Sequence, residues 1–351
     1  MFLKKVHWLS GGEEPYLYLL LYTKIIITIM FAAVLHQPGG PENFKFEERP
    51  IPIPEAGQVL IRVRAFGLNR SEIMTRKGLS PDVQFPRILG IECVGEVEKD
   101  PSHEFKKGQK VAAFMGNMGR LFDGSYAEFA VLPKAIITNF ESSLPWETLG
   151  ALPEMFQTAY GSLHIALKIK AGETILIRGG TSSVGLLAAQ LAKSHGLYVV
   201  ATTRDERKRS LLLENGADEV LIDDGKIFDK ACISNPPVFD KVVELIGTTT
   251  LKDSLKGVVA GGSVCMTGML SEQWSISEFE PMGYIPAAVN LTVYDSGQIR
   301  VAGNIFQQFI LDIEAGKVMP VIKNTFKLKD LSAAHQFMES NSGGGKIVVL
   351  T

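Results

Sequence analysis

The stretch TILIRGGTSSVGLLAAQ (residues 174–190) constrains this chain more than any other. A short β-branched run meets a cluster of small residues, and a helix start follows. Residues without bulky side chains let the backbone close on a pyrophosphate, while the helix N-terminus offers free N–H groups and a positive dipole end. The spacing is Gly179-x-x-Ser182-x-x-Gly185, with Ser where the second Gly usually stands. Alone the motif is weak; it gains weight from its strand–turn–helix–strand setting, against the alternative of a plain tight turn. The candidate phosphate contacts are Gly180, Thr181, Ser182, Ser183 and Val184.

The surrounding rhythm points the same way. From Pro153 helices and strands alternate: PEMFQTAYGSLHIALKIK reads as a helix, LYVVATT as a strand, RDERKRSLLLENG as a helix. EVLIDD and FDKVVELIG are further strands, LKDSLKGVVAGG is a helix and SVCMTGM a strand. Continuous runs such as ILI, YVV and KVV imply strands buried on both faces, hence a doubly wound parallel sheet of the Rossmann type. Residues 30–152 differ, being short strands and turns that suggest a compact β-barrel-like unit. At 351 residues the chain exceeds one ordinary core. The expected division is a Rossmann domain at 153–286 set between 30–152 and 287–351, which together make a β-rich domain. A helix from Asn304 to Ala315 and a final strand KIVVL are expected in the last part.

Lys plus Arg number 36 against 38 Asp plus Glu, a balance that removes the electrostatic case for nucleic-acid binding. Cys93, Cys232 and Cys265 are widely spaced and form no C-x-x-C pair, which favours a reducing, cytoplasmic setting over a disulfide framework. Tyr16 to Leu35 is apolar except for Lys24, but Met30 to Leu35 reads as the first strand. Residues 16–29 then form too short a run for a bilayer core of about 30 Å. Residues 1–29 are therefore expected to be an extension rather than a membrane anchor, with Met30 as the working start.

The end of the second Rossmann strand bears on coenzyme choice. Sites that prefer NAD place Asp or Glu there to accept from the ribose 2′-hydroxyl. Here Thr202 and Thr203 leave no carboxylate, and Arg204 follows with Lys208 one turn later. Thr203, Arg204 and Lys208 are the expected holders of a 2′-phosphate, hence NADPH. A solvated helix start is the alternative, since Asp205 and Glu206 lie alongside.

From Met30 to Thr351 the chain resembles the zinc-free quinone oxidoreductase and enoyl reductase branch of the medium-chain dehydrogenase/reductase superfamily. The segments that carry the resemblance are AAVLHQPGGPENF, RVRAFGLNRSEIMTRKG, FPRILGIECVGEV, GSYAEFAVLP, TAYGSL, AGETILIRGGTSSVGLLAAQLAKSHG, FDKVVELIG and GGGKIVVL. The resemblance implies an α/β fold in which a GroES-like catalytic domain faces the Rossmann domain across a cofactor cleft. Zinc-using relatives carry Cys where this chain has Asn69 and a His-Glu pair where it has Ile91-Glu92, so no metal is expected. It also implies catalytic roles for Asn69, as a donor to a developing enolate or quinol oxygen, and for Thr158 beside the nicotinamide. Further cofactor contacts are implied for Ile246, Thr267, Gly268, Met269, Asn341 and Lys346. Relatives often carry Tyr where this chain has Met74, which removes the obvious proton donor; Tyr160, Tyr294 or water remain.

The activity so implied is NADPH-dependent reduction of quinones or α,β-unsaturated carbonyls. An enoyl-thioester reductase and a non-catalytic, crystallin-like NADPH-binding protein are the alternatives. Residues 289–296, VNLTVYDS, are expected at the far, unguarded edge of the Rossmann sheet, where an edge of this kind pairs two copies into a homodimer.

Overall fold

The computed structural model describes residues 28–228, 238–340 and 344–351. The apolar leader up to Ile27 and Asn341 lie outside the described residues. From Ile29 the chain is β-rich: β1 (Ile29–Leu35), β2 (Phe44–Pro50), β3 (Gln58–Gly67), helix α1 (Arg70–Arg76), β4 (Arg87–Ile88), β5 (Glu92–Lys99), β6 (Lys110–Phe114), β7 (Phe129–Pro133) and β8 (Ile137–Asn139). Helices α2 (Trp146–Gly150) and α3 (Pro153–Tyr160) lead into the alternating part. This comprises β9 (Thr174–Arg178), α4 (Ser183–Ser194), β10 (Tyr198–Thr203), α5 (Arg209–Glu214), β11 (Glu219–Ile222), β12 (Phe239–Glu244), α6 (Thr248–Lys256), β13 (Val258–Met266), α7 (Pro281–Tyr284) and β14 (Asn290–Val293). The chain ends with α8 (Gly303–Glu314), β15 (Ile322–Lys327), α9 (Leu331–Glu339) and β16 (Lys346–Leu350).

Strands β11-β10-β9-β12-β13-β14 form a six-stranded sheet in that order, parallel throughout. This is the doubly wound Rossmann order. Its strands alternate as their sequence suggests. Ile175, Ile177, Val199, Ala201 and Val243 join one core with α3, α4 and α8, while Leu176, Val200, Val242 and Val264 join another with α6. Burial on both faces explains why these strands are runs of β-branched residues rather than alternating ones. The GroES-like unit is a largely antiparallel sheet ordered β15-β16-β3-β5-β6-β8, with β7 on β3, and a smaller β2-β1-β4 sheet beside it.

Three expectations need correction. LKDSLKGVVAGG is helical only to Lys256, and its Val258–Gly262 part opens β13. The Rossmann unit does not end at residue 286, because β14 extends its sheet in parallel register from Ser263–Asn290 to Met266–Val293. Helix α8 also packs there, with Phe309 stacked on Phe156 at 4.2 Å. The chain rejoins the barrel sheet only at β15, which pairs with β16. The break near 286 is suggested because the crossover from β13 to β14 carries only the four-residue α7. Nor is the segment after Pro153 a single α-helix: Gly161–Ala166 is a π-helical turn. Gly161 is needed there, since a Cβ would lie 1.9 Å from the Tyr294 ring.

Candidate active site

The phosphate-type turn forms where β9 ends. Gly179 has φ +88°, a conformation that favours glycine, and the Gly180 N–H donates to Thr202 O at 3.1 Å. A Cβ on Gly185 would sit 2.6 Å from Gly179 O, so the third small residue lets α4 close on the turn. Ser182 caps α4: its hydroxyl accepts from Gly185 N at 3.0 Å and donates to Gly179 O at 2.9 Å. Thr181, Ser182, Ser183 and Val184 are half-buried. The first-turn N–H groups of Ser183 and Val184 have no intrahelical partner and can receive an anion. The cradle fits a dinucleotide pyrophosphate.

At the end of β10, Thr203 is buried and its hydroxyl donates to Asp205 O at 3.2 Å. Arg204 is exposed and makes no ion pair with the described residues. The two nearby carboxylates are occupied: Asp205 by the Arg207 guanidinium at 2.9 Å, and Glu206 by Arg209 at 2.5 Å. Lys208 lies half-buried in the 3-10 turn between Glu206 and α5.

The second centre gathers residues that are far apart in sequence. Asn69 begins α1, where its backbone N–H donates to Glu72 Oε2 at 2.7 Å; the other Glu72 oxygen accepts from Ile91 N at 2.9 Å. Burial pushes the Glu72 carboxyl up to about 7. Asn69 Nδ2 donates to Glu92 Oε1 at 2.8 Å, and its Oδ1 accepts from Lys346 Nζ at 2.6 Å. Lys346 Nζ also lies 2.7 Å from Glu92 Oε1. Lys346, expected to close over the cofactor, is only 2% exposed. Its ammonium is instead committed beneath Asn69, because burying a cation demands a carboxylate partner.

This centre continues into α3. Glu92 Oε2 accepts from Glu154 N at 2.8 Å, and Glu154 Oε1 accepts from Thr158 Oγ1 at 2.9 Å. Ser162, on the π-helical turn, donates to Thr158 O at 2.7 Å and meets Thr267 Oγ1 at 2.8 Å. Asn69, Lys346, Thr158 and Thr267 thus belong to one hydrogen-bonded network. Close by, Ile246 N donates to Glu244 Oε1 at 2.8 Å, while Thr267 N and Gly268 N both reach Glu244 O. A Cβ on Gly268 would lie 2.4 Å from Leu245 O, and the Met269 sulfur lies 3.0 Å from where Gly247 would carry one. The crossing of 244–247 with 267–269 therefore forms a tight shelf at the carboxyl ends of β12 and β13. Met74 is buried, and Tyr294 OH is committed to Ile299 O at 2.8 Å.

Glu92, Glu154, Ser162 and Ser296 are site residues that sequence reasoning misses as functional. The available signal was a carboxylate at the start of an apolar helix, in Pro153-Glu154-Met155. Among the described residues no group of three His, Cys, Asp or Glu side chains is placed to hold a metal ion.

Comparison with known proteins places this architecture. An alcohol dehydrogenase GroES-like domain family matches residues 55–142, and a family described as zinc-binding dehydrogenase matches residues 215–349. The quinone oxidoreductase of Rattus norvegicus is 31% identical over 333 residues, covering 92% of this chain and 98% of that one. The acryloyl-coenzyme A reductase of Sulfurisphaera tokodaii is 25% identical, covering 89% and 98%. A quinone oxidoreductase structure from Pseudomonas syringae superposes with TM-score 0.81 at 26% identity, over 92% of this chain and all of that one. Matching such relatives over nearly their whole length, the chain belongs to the zinc-free quinone oxidoreductase branch of the medium-chain dehydrogenase/reductase superfamily.

Proposed function

We propose that this oxidoreductase uses NADPH to reduce quinones or other α,β-unsaturated carbonyls without a metal ion. The observation that carries the reading is the Lys346 ammonium on the Asn69 carbonyl at 2.6 Å. A cation at Oδ1 draws charge from the amide and strengthens the Nδ2 hydrogen that Glu92 does not take, held only by a 3.5 Å contact to Gly67 O, as a donor to a developing oxyanion. It also supplies the buried positive charge of the centre from within the chain. Gly180, Thr181, Ser182, Ser183 and Val184 would hold the pyrophosphate, Arg204 and Lys208 the 2′-phosphate, and Ile246 and Thr267 to Met269 the nicotinamide side. Bound there, NADPH supplies the hydride. The protein's own part is to align the acceptor carbonyl on Asn69 and exclude water.

The test is NADPH consumption with a panel of quinones, enones and enoyl thioesters, repeated after exhaustive chelation. Turnover of quinones or enones, unchanged by chelation, is expected. Preference for enoyl thioesters would shift the reading toward the acryloyl-coenzyme A reductase relative. Tight NADPH binding without turnover would make the protein a binder, and about one zinc per chain would sink metal independence.

Asn69→Ala is expected to lower kcat roughly 10- to 100-fold with NADPH affinity nearly unchanged, the scale of losing one oxyanion donor or somewhat less. An unchanged kcat would reduce Asn69 to a helix-start residue.

A homodimer through β14 is part of the proposal. Among the described residues nothing pairs with its outer edge, Val293 there is 60% exposed, and Trp274 lines the same apolar groove. Light scattering is expected to give about twice the 38.4 kDa chain mass; a monomer at micromolar concentration would refute it. A cytoplasmic setting is supported by the buried, unpaired thiols of Cys93 and Cys265. No helix among the described residues is long and apolar enough to cross a membrane.

A further inference from the structure

Reduction of a conjugated carbonyl needs a proton as well as a hydride, and the usual phenol position is filled here by buried Met74. Tyr294 donates to a backbone carbonyl, and the Tyr160 ring stacks on His164 at 4.2 Å. One titratable group beside the site is left unexplained. Glu154 is buried in the first turn of α3, its Oε1 meeting Thr158 Oγ1 at 2.9 Å and Ser296 Oγ at 2.5 Å, while Oε2 has no partner. An ionised carboxylate with one oxygen buried and unpaired is disfavoured; a neutral acid whose carbonyl oxygen is unpaired is far less so.

We propose that Glu154 is a protonated acid that resupplies the Thr158 hydroxyl with the proton that completes the reduction, and that Ser296 links it to solvent. This rests on the reductase reading above. Thr158 is half-buried where Glu154 is buried, so the hydroxyl is the end of the pair that can meet a substrate. Hydroxyl hydrogens rotate: with the acid proton on Oε1 directed at Thr158 Oγ1, the Thr158 O–H is released to point outward. The enone β-carbon receives a hydride, with its electron pair, from reduced nicotinamide, and the C=C pair shifts to form the enolate. Thr158 then gives its proton to the enolate α-carbon as the Glu154 proton passes to the Thr158 oxygen. The Glu154 carboxylate recovers a proton from solvent through Ser296. The sum is enone, NADPH and one proton converted to saturated ketone and NADP+.

Burial holds the Glu154 carboxyl up at about 7, with the Glu92 charge on β5 adding to the rise. The Ser296 and Thr158 hydrogen bonds and the Lys346 charge on β16 oppose it. Tyr294, near β14, also lies within electrostatic reach of Glu154.

Glu154→Gln and Thr158→Val are the test, each close in shape to the residue it replaces. In the unmodified protein, kcat for an enone should fall as pH rises through about 7. Glu154→Gln should lower kcat about 100-fold, the lower end for losing a general acid, and flatten that limb while NADPH binding is retained. The cofactor-free protein should show infrared absorption of protonated carboxyls titrating near pH 7, from Glu72 and Glu154, and Glu154→Gln should lose the Glu154 component while keeping that of Glu72. In D2O the unmodified protein should deuterate one face of the product α-carbon, and both variants should scramble it. A Glu154→Gln protein with the original rate and pH limb overturns the relay alone, as does Thr158→Val with intact stereochemistry. An unmodified protein that binds NADPH but reduces nothing in the panel overturns the reductase reading, and the relay with it.

Discussion

NADPH is expected to outperform NADH in kcat/KM by roughly 30- to 1,000-fold, counting one to two effective charged hydrogen bonds of about 1.5–3 kcal/mol each. The 2′-phosphate is the only difference between the coenzymes, so the preference must come from the end of β10. Thr203 offers no carboxylate to repel it, and the side chains that would compete for Arg204 are engaged elsewhere. Arg207 lowers the proton affinity of the Asp205 carboxylate, and Arg209 does the same for Glu206. Arg204 can therefore present its forked donors to a phosphate, with Lys208 adding a point charge from the following turn. Arg70 on α1 also lies within electrostatic reach of Arg204, though Glu272 pairs with it at 3.8 Å. Burial chiefly, and Arg204 in part, lower the Arg70 proton affinity. Exposure of Arg204 keeps the effect within the stated range, since solvent screens it. Arg204→Ala should remove most of the preference by raising KM for NADPH, leaving NADH kinetics nearly untouched. Equal efficiency with both coenzymes in the unmodified protein would overturn the assignment.

Much of this was legible in the sequence where a residue's meaning is local. The turn at 179–185 is one: glycine at positive φ, a serine cap and a helix start all act within a few residues. The strands β9, β10 and β12 are another, since burial on both faces writes itself as consecutive β-branched residues. Legibility stopped where meaning depends on convergence. Lys346 reads as part of a closing tail, yet it is a buried cation because β16 lies beside β3, which ends just before Asn69, and β5 on the other side of β3 brings Glu92. Glu154 reads as a charge at a helix start, and only the fold reveals Ser296 against it from 142 residues away. Asn69 starts a helix that the sequence reading does not place, and its amide is already bonded at both ends, so its donor strength is set by Lys346 and Glu92. The boundary at 286 cuts off the last Rossmann strand, although VNLTVYDS reads as the far edge of that sheet, because this strand follows a loop rather than a long crossover helix.

Arg178 is the clearest case of a residue whose role the fold alone discloses, and Arg178→Met should cost about 3–5 kcal/mol of stability. The last residue of β9 is a fully buried arginine in a strand that reads as apolar. Its Nε and Nη2 grip Asp223 just after β11 at 2.8 and 2.9 Å, a bidentate pair, while Nη1 reaches Asp253 at 2.8 Å and Ser254 at 3.0 Å on α6. Ser254 in turn donates to Glu244 at the end of β12 at 2.5 Å. One guanidinium therefore ties together the carboxyl ends of three strands and a helix, directly beneath Gly179. Methionine fills much of the volume but takes the bidentate cation away from the buried Asp223 carboxylate, and that loss dominates. Arg178→Lys should recover only part of it, since a single ammonium cannot match both carboxylates at once. Thermal melting should fall by about 6–20 °C for Arg178→Met. NADPH affinity should weaken even at temperatures where the variant is folded, because Gly179 and Gly180 lose the anchor that sets the turn. A variant melting within a degree or two of the unmodified protein would show that the network orders the strand ends without stabilising them.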